Sequence, residues 1–391
     1  MQIRELTADD ADASLRASRD AFGGPLQEPS AFTVGGGMQR WGVFDGPQLA
    51  ASAAARDYLS MIGGREVSTA GVAAVLVAPE YRGTGLARRV MTHLLTQVRE
   101  SGAAISTLFR TAPALYRSLG YEQVAELTFG ELPAAALRGL RVRPPVTVRR
   151  ATVDDGPAIR SVYAGIASAG SCLLTRTGPS FAATDQDLMD TFDGITLAME
   201  PDGSVSGYVS WNRGHGFGPD GALDVAELHA INGTALESLL AVVGSFDMVT
   251  YAIQFRTSGT DPMHWLIPGP GWSVNRVDPY LLRVVDLGSA VAQRGWPAGL
   301  AADIPLTVDD PVCPWNTGHH RLVLDDGHAR LEPGAPGGYR IGPRGLGVLM
   351  AGGVTAARLR HASLIEGGSA ADDVRLDAIM AGPRPAILDF F

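Results

Sequence analysis

Lysine is absent: all 32 basic side chains among the 391 residues are arginines. A phosphate-binding loop of the Gly-Lys-Ser/Thr kind, a Schiff base and a lysine general base are therefore excluded. Cysteine is almost absent too, with Cys172 and Cys313 far apart in the chain. Their separation fits no metal or redox spacing, so no metal is expected, and the N-terminus is charged from Arg4 onward. Together these give the expectation of a cytoplasmic chain without a signal peptide. No apolar run approaches the ~20 residues that span a bilayer, so no membrane partner is expected. Charge is sparse, at 19% of residues, and sums to −9. Nucleic acid, which calls for a basic surface, is not an expected partner. Divided after 145 and 285, the chain has 15 Arg against 14 acids, 8 against 15, and 9 against 12, so the acid excess sits in the middle.

What is present is a hydrophobic content of 46% and a mean hydropathy of +0.08, the balance of a soluble globular protein. The length predicts about two to three domains. An internal repeat is visible by eye: Ile3-Arg4-Glu5-Leu6-Thr7-Ala8-Asp9-Asp10 aligns with Val148-Arg149-Arg150-Ala151-Thr152-Val153-Asp154-Asp155. Each copy reads as a short strand, a capping Thr and acids in a helix's first turn. Between the copies, residues 138–145 (RGLRVRPP) read as a linker ended by Pro144-Pro145. Toward the end, residues 321–333 alternate around Asp326-Gly327, a hairpin signal. Helical stretches are expected at Val354 to His361 and Asp372 to Met380, followed by an extended apolar tail, 385–391. His319, His320 and His328 read as a hydrated loop, and His215, His229, His264 and His361 as surface or satisfied core positions.

The segment carrying chemistry is VAAVLVAPEYRGTGLARRVMTHLLTQVRE, residues 72–100. An apolar strand ends at Pro79, and Leu86, Val90, Met91, Leu94, Leu95 and Val98 recur on one helical face. A strand, a tight glycine loop and a helix start aim backbone N–H groups and the positive helix end at an anion. Gly83 and Gly85 allow positive φ, while Arg82 and Arg88 supply charged donors for phosphate. The loop is neither a Walker loop nor a G-x-G-x-x-G fingerprint.

Arg82-Gly83-Thr84-Gly85-Leu86-Ala87 resembles the pyrophosphate loop of the GCN5-related N-acetyltransferases, Arg/Gln-x-x-Gly-x-Gly/Ala. Residues 105–109 and the Tyr116-to-Tyr121 segment are similar to that family's next strand and its Tyr-x-x-x-Gly-Tyr/Phe helix. With the repeat, 206–218, 279–295 and the C-terminal Phe included, the chain resembles the Eis-type (enhanced intracellular survival) branch over essentially its whole length. The resemblance implies an α/β (α+β) chain of tandem acetyltransferase domains followed by a sterol-carrier-protein-like α/β domain. The expected boundaries are 1–145 for the catalytic, acetyl-CoA-binding domain, 146–289 for a degenerate second copy, and 290–391 for the sterol-carrier-like domain. The second copy has no pyrophosphate loop, and His215, Gly216 and Asp220 run where one is expected.

The same resemblance implies acetyl-CoA as co-substrate and a cationic amine, such as an aminoglycoside, as acceptor. Tyr116 is the implied general acid, and the carboxylate ending the chain at Phe391 the implied general base. Cofactor contacts are expected from Val75, Leu76, Val77, Arg82, Gly83, Thr84, Gly85, Leu86, Ala87, Arg88, Thr111 and Ala112. Phe22 and Trp41 fall where the family places acceptor-pocket aromatics, although each reads equally as core. Asp389, with the acidic middle domain, suits a cationic acceptor. Relatives form homohexamers, which is the implied assembly. Two other readings stay open: a protein lysine acetyltransferase, and a non-catalytic binder of apolar ligands through the last domain.

Overall fold

The computed structural model describes residues 1–25, 27–140, 146–214, 221–267 and 271–391. Arg141, Arg143, Pro144 and Pro145 of the linker, and His215, Gly216 and Asp220, lie outside the described residues. Two copies of one topology build a single 12-stranded sheet. The first copy supplies β1 (Gln2–Glu5), α1 (Ala11–Phe22), β2 (Met38–Asp45), β3 (Gln48–Ile62), β4 (Arg65–Val77), α2 (Leu86–Glu100), β5 (Ile105–Phe109), α3 (Pro113–Ser118) and β6 (Glu122–Pro133). The second supplies β7 (Thr147–Arg150), α4 (Gly156–Ala169), α5 (Asp185–Asp190), β8 (Gly194–Met199), β9 (Val205–Asn212), β10 (Ala222–Ala230), α6 (Gly233–Gly244), β11 (Ala252–Thr257), α7 (Met263–Leu266) and β12 (Ser273–Val284).

The sheet order is β1-β2-β3-β4-β5-β12-β6-β11-β10-β9-β8-β7. The last strand of each copy thus crosses into the other: β12 pairs with β5, β6 pairs with β11, and the two exchanged strands pair antiparallel at the centre. The repeat legible at the two strand starts is also repeated in its bonds. Arg4 holds both oxygens of Asp10 at 2.7 and 2.8 Å, and Arg149 holds those of Asp155 at 2.6 and 2.8 Å. In both copies the same carboxylate accepts from the capping threonine's backbone N–H, Thr7 at 2.9 Å and Thr152 at 2.8 Å.

The third unit is a five-stranded sheet of β13 (Ala301–Val308), β14 (Gly318–Asp325), β15 (His328–Pro333), β16 (Tyr339–Ile341) and β17 (Ile365–Gly367). Its helices are α8 (Leu287–Gln293), α9 (Pro343–Ala351), α10 (Ala356–His361) and α11 (Ala370–Ile379). The β14–β15 hairpin turns at Asp326 and Gly327, both at positive φ (41° and 80°), as a tight two-residue turn demands. This unit packs α9 on β12 and β6, and its apolar core is continuous with that of the central strands. A fully buried ion pair crosses the seam, with Arg283 Nη2 2.9 Å from both oxygens of Asp310. Arg283 also donates to the Leu119 carbonyl at the end of α3, so the helix carrying Tyr116 is tied to β12 of the second copy. Both cysteines are buried and free. Among the described residues no helix is long and apolar enough to cross a membrane.

Candidate active site

The site begins with a break in the sheet. Parallel strands β4 and β5 pair only from Thr69–Ile105 to Gly71–Thr107, although β4 runs on to Val77. A bulge between the Ala54–Ala73 and Ser52–Leu76 pairs, with Ala74 at φ 49°, turns β4 further away. The strands open into a V, and backbone groups past Gly71 on the β5 side of β4 lose their sheet partners. The V opens into a cleft of about 780 Å³.

At the outer end of β4, Gly83 and Gly85 adopt φ 78° and 83°, and Gly85 is the N-cap of α2 without any side-chain cap. The first amides of a 15-residue helix are therefore left for an anion. The six apolar residues read as one helical face are all buried beneath, which fixes the helix on β3 and β4. Arg82, Gly83, Thr84, Gly85 and Arg88 are exposed, and Arg88 donates to the Ser118 carbonyl at 3.1 Å. Val75, Val77 and Ala87 are partly exposed, whereas Leu76 and Leu86 send their side chains into the core and offer only backbone groups.

The second copy retains the geometry and closes it. β10 and β11 also pair for only four residues before parting, and β10 carries the equivalent bulge. There, however, the N-terminus of α6 is capped by the Asn232 side chain, which accepts from the Ala235 N–H at 2.9 Å. The gap is reduced to about 80 Å³, walled by Met263 and Leu388. A helix start with its own side-chain cap and a gap this narrow contrast with the open arrangement of the first copy.

Tyr116, Thr111, Phe22 and Phe391 all line the large cleft, together with Val72 to Val75, Phe109 and Phe390. Tyr116 is buried on α3, and burial raises its pKa, opposed by a hydrogen bond with Thr111. It therefore remains a proton donor across the neutral range. Tyr121 is fully buried in the core, its hydroxyl 2.7 Å from Ser106 Oγ. The Phe391 ring sits at the apex of the V, 4.9 Å from the Tyr58 ring, 5.6 Å from Phe109 and 6.2 Å from Tyr280 (centroids). Phe390 stacks on Phe109 at 4.7 Å. The tail reaches this point by bonding to the second copy, Ala386 N–H to the Ser171 carbonyl at 2.8 Å. Ala112 is the N-cap of α3.

Three expectations are corrected. Trp41 does not reach the cleft: it is 4% exposed, on β2, its ring 6.4 Å from that of His93 within the core. Asp389 does not face an acceptor either, because Arg176 Nε binds its Oδ1 at 2.8 Å and the Tyr163 hydroxyl its Oδ2 at 3.0 Å. His229 is buried but not satisfied, since its Nε2 has no hydrogen-bond partner among the described residues. Sequence reasoning missed Ser18, Gln27, Arg276 and Asp278 of the cleft lining. Arg276 and Asp278, paired at 3.0 Å, arrive on exchanged strand β12, and nothing local in the chain announces that exchange. No group of three or more His, Cys, Asp or Glu that could hold a metal occurs among the described residues.

Comparison with known proteins gives a consistent pattern. Models of an acetyltransferase (GNAT) domain match residues 2–124 and 173–284, and a sterol carrier protein domain matches residues 287–388. A GCN5-related N-acetyltransferase from Kribbella flavida is 31% identical with a TM-score of 0.85, over 100% of this chain and 98% of that one. Eis1 from Mycobacterium abscessus shares the fold at 21% identity, with a TM-score of 0.80 over 100% of both chains. An uncharacterized N-acetyltransferase of Streptomyces avermitilis is 25% identical over 83% of this chain and 82% of its own length.

Proposed function

Because the chain belongs to the GCN5-related N-acetyltransferases, in the tandem Eis-type arrangement with a sterol-carrier-like third domain, we propose that it acetylates a cationic small-molecule amine with Tyr116 as general acid and the Phe391 carboxylate as general base. The observation that carries this reading is that Tyr116 and Phe391, 275 positions apart in sequence, line one cleft at the opening of β4 and β5.

Acetyl-CoA is the co-substrate that the fold implies, and the residues fit it. The uncapped amides of Gly85 to Ala87, with Arg82 and Arg88, are the donors for its pyrophosphate. The freed backbone of β4 after Gly71 is the ladder for its extended arm. Acetyl-CoA brings an activated acyl group to the cleft, and the protein's residues manage two protons. The carboxylate at Phe391 takes a proton from the acceptor's ammonium, which frees the amine to attack, and Tyr58, Phe109 and Tyr280 pack around the Phe391 ring to hold the end of the chain in the cleft. Tyr116 gives its proton to the departing thiolate, whose basicity is comparable to that of a phenol.

The acceptor reading rests on the cleft's aromatic lining, Phe22, Phe109, Tyr116, Phe390 and Phe391, whose ring faces draw cations. An aminoglycoside is the first acceptor to test. Adding one glycine after Phe391 moves the carboxylate away from the apex of the V. Thiol release from acetyl-CoA is expected to fall by at least about 100-fold in that variant and in Tyr116→Phe. An extended chain as fast as wild type overturns the base assignment, and an unimpaired Tyr116→Phe overturns the acid.

A further inference from the structure

The second copy has lost a cofactor cleft but keeps a separate cavity of about 690 Å³ between α4, residues 175–192 and β9 and β10. It shares no lining residue with the catalytic cleft. Four rings, Tyr163, Phe181, Phe192 and Tyr208, contribute to its walls, and Arg176 and Glu227 form its polar floor.

The charge on that floor does not balance. Arg176 bonds Glu227 at 2.6 Å and Asp389 at 2.8 Å, so one cation serves two carboxylates. Glu227 is further bound by the Tyr208 hydroxyl at 2.8 Å, and although burial, the largest single influence, pushes its pKa up, the neighbouring charges and hydrogen bonds, Arg176 foremost, together hold it low. His229 adds no positive charge at neutral pH, since burial pushes its imidazole down. At the mouth, Arg160 is already paired with Asp185. Glu227 lines the cavity and Asp389 lies behind Arg176, outside the lining, so the three-group cluster beneath the cavity has one carboxylate more than it has cations, in a low-dielectric place where such an excess is felt strongly. Arg176 also holds a backbone φ of 57°, in the left-handed region that a non-glycine residue occupies at a cost. That conformation belongs to the residue that joins Glu227 to Asp389.

We propose that this cavity is a binding site for an organic ammonium ion, seated among the aromatic rings with its charge toward Glu227. The rings of Phe181, Phe192 and Tyr208 and a pair of carboxylates that share one arginine attract the same class of ligand, and they disfavour a carboxylate or phosphate. The site is independent of the acetyl-transfer reading, because it is built by the copy that lacks a cofactor cleft.

The test is isothermal titration of the full chain with benzyltrimethylammonium, a cation with no N–H to acetylate. One-to-one binding is expected, with phenylacetate about tenfold or more weaker. Ala164→Trp, on the exposed side of α4, fills the cavity and is expected to abolish cation binding while acetyl-CoA still binds. Ala183→Trp does the same from the opposite wall, should the first variant fold poorly. Cation binding that survives both substitutions, equal binding of phenylacetate, or no binding at millimolar cation overturns the proposal.

Discussion

Arg176 Nε lies 2.8 Å from Asp389 Oδ1, and through that contact the second copy holds the tail that enters the first copy's cleft. Tyr163 adds a hydrogen bond at 3.0 Å, and Arg176 lies over the Tyr163 ring at 3.8 Å. Asp389 stands two residues before Phe391, so any looseness there is passed to the terminal carboxylate. Asp389→Asn keeps the size and removes the charge. On the proposed mechanism kcat falls about tenfold, corresponding to about 1.4 kcal/mol of lost positioning, while the dissociation constant of acetyl-CoA stays unchanged. Steady-state kinetics beside a direct acetyl-CoA titration separate the two. An unchanged kcat means that apolar packing of Leu388 and Phe391 suffices to place the tail.

Gly71 marks the apex of the V, and a Cβ built there would lie 2.8 Å from Phe391 Cε2 and overlap the Tyr58 ring as well. The requirement is for space, not for an unusual φ. Gly71→Ala must displace one of two packed rings, at about 1–3 kcal/mol of strain. The expected result is a lower thermal midpoint together with a loss of turnover larger than that of a comparably destabilised variant remote from the cleft. Turnover that merely tracks stability argues against the apex position of Phe391 in catalysis.

What the sequence makes legible is local. The buried face of α2, the positive-φ glycines and the Asp326-Gly327 turn follow from period and residue type within a few positions. The repeat is legible because an arginine, a threonine and an aspartate at fixed spacing are one hydrogen-bonded device used twice. Long-range pairing is not legible. Strand exchange brings Arg276 and Asp278 into a cleft whose other walls lie before residue 120 or at the chain's end, and no periodicity encodes it. Trp41 and Asp389 show the same limit in side chains. An aromatic on a strand suits core and pocket alike, and a carboxylate near a terminus does not reveal that an arginine 213 positions earlier already claims it.

The glycine loop offers a prediction separable from catalysis. A Cβ at Gly85 would meet nothing within 4 Å, but the backbone φ there is 83°, so Gly85→Ala is opposed by backbone strain of about 1–2 kcal/mol. Relieving it turns the first amides of α2 away from the pyrophosphate. The acetyl-CoA dissociation constant should rise about tenfold, with kcat at saturation close to wild type. A fall in kcat at unchanged affinity would instead place this loop in the chemistry and not in cofactor binding.

Acid stability should follow the twin arginine–aspartate clasps. The Arg4 guanidinium, with the Thr7 amide and hydroxyl, outweighs burial and holds the Asp10 carboxyl at about 2 against an ordinary 3.8. Arg149 and Thr152 hold Asp155 low in the same way. A carboxyl depressed in the folded state contributes stability that is fully present above its unfolded pKa and is lost as pH falls through the folded one. The window therefore runs from about pH 4 down to about pH 2, and little should change between pH 5 and 8. Asp10→Asn and Asp155→Asn each remove part of this dependence, lowering stability at neutral pH and flattening its decline in acid. Urea unfolding from about pH 7 down to about pH 2 measures both, and parallel curves for wild type and variants would show that the clasps contribute nothing to the acid limb. Because the two clasps sit at opposite edges of one sheet without shared partners, the double variant should show the sum of the single effects.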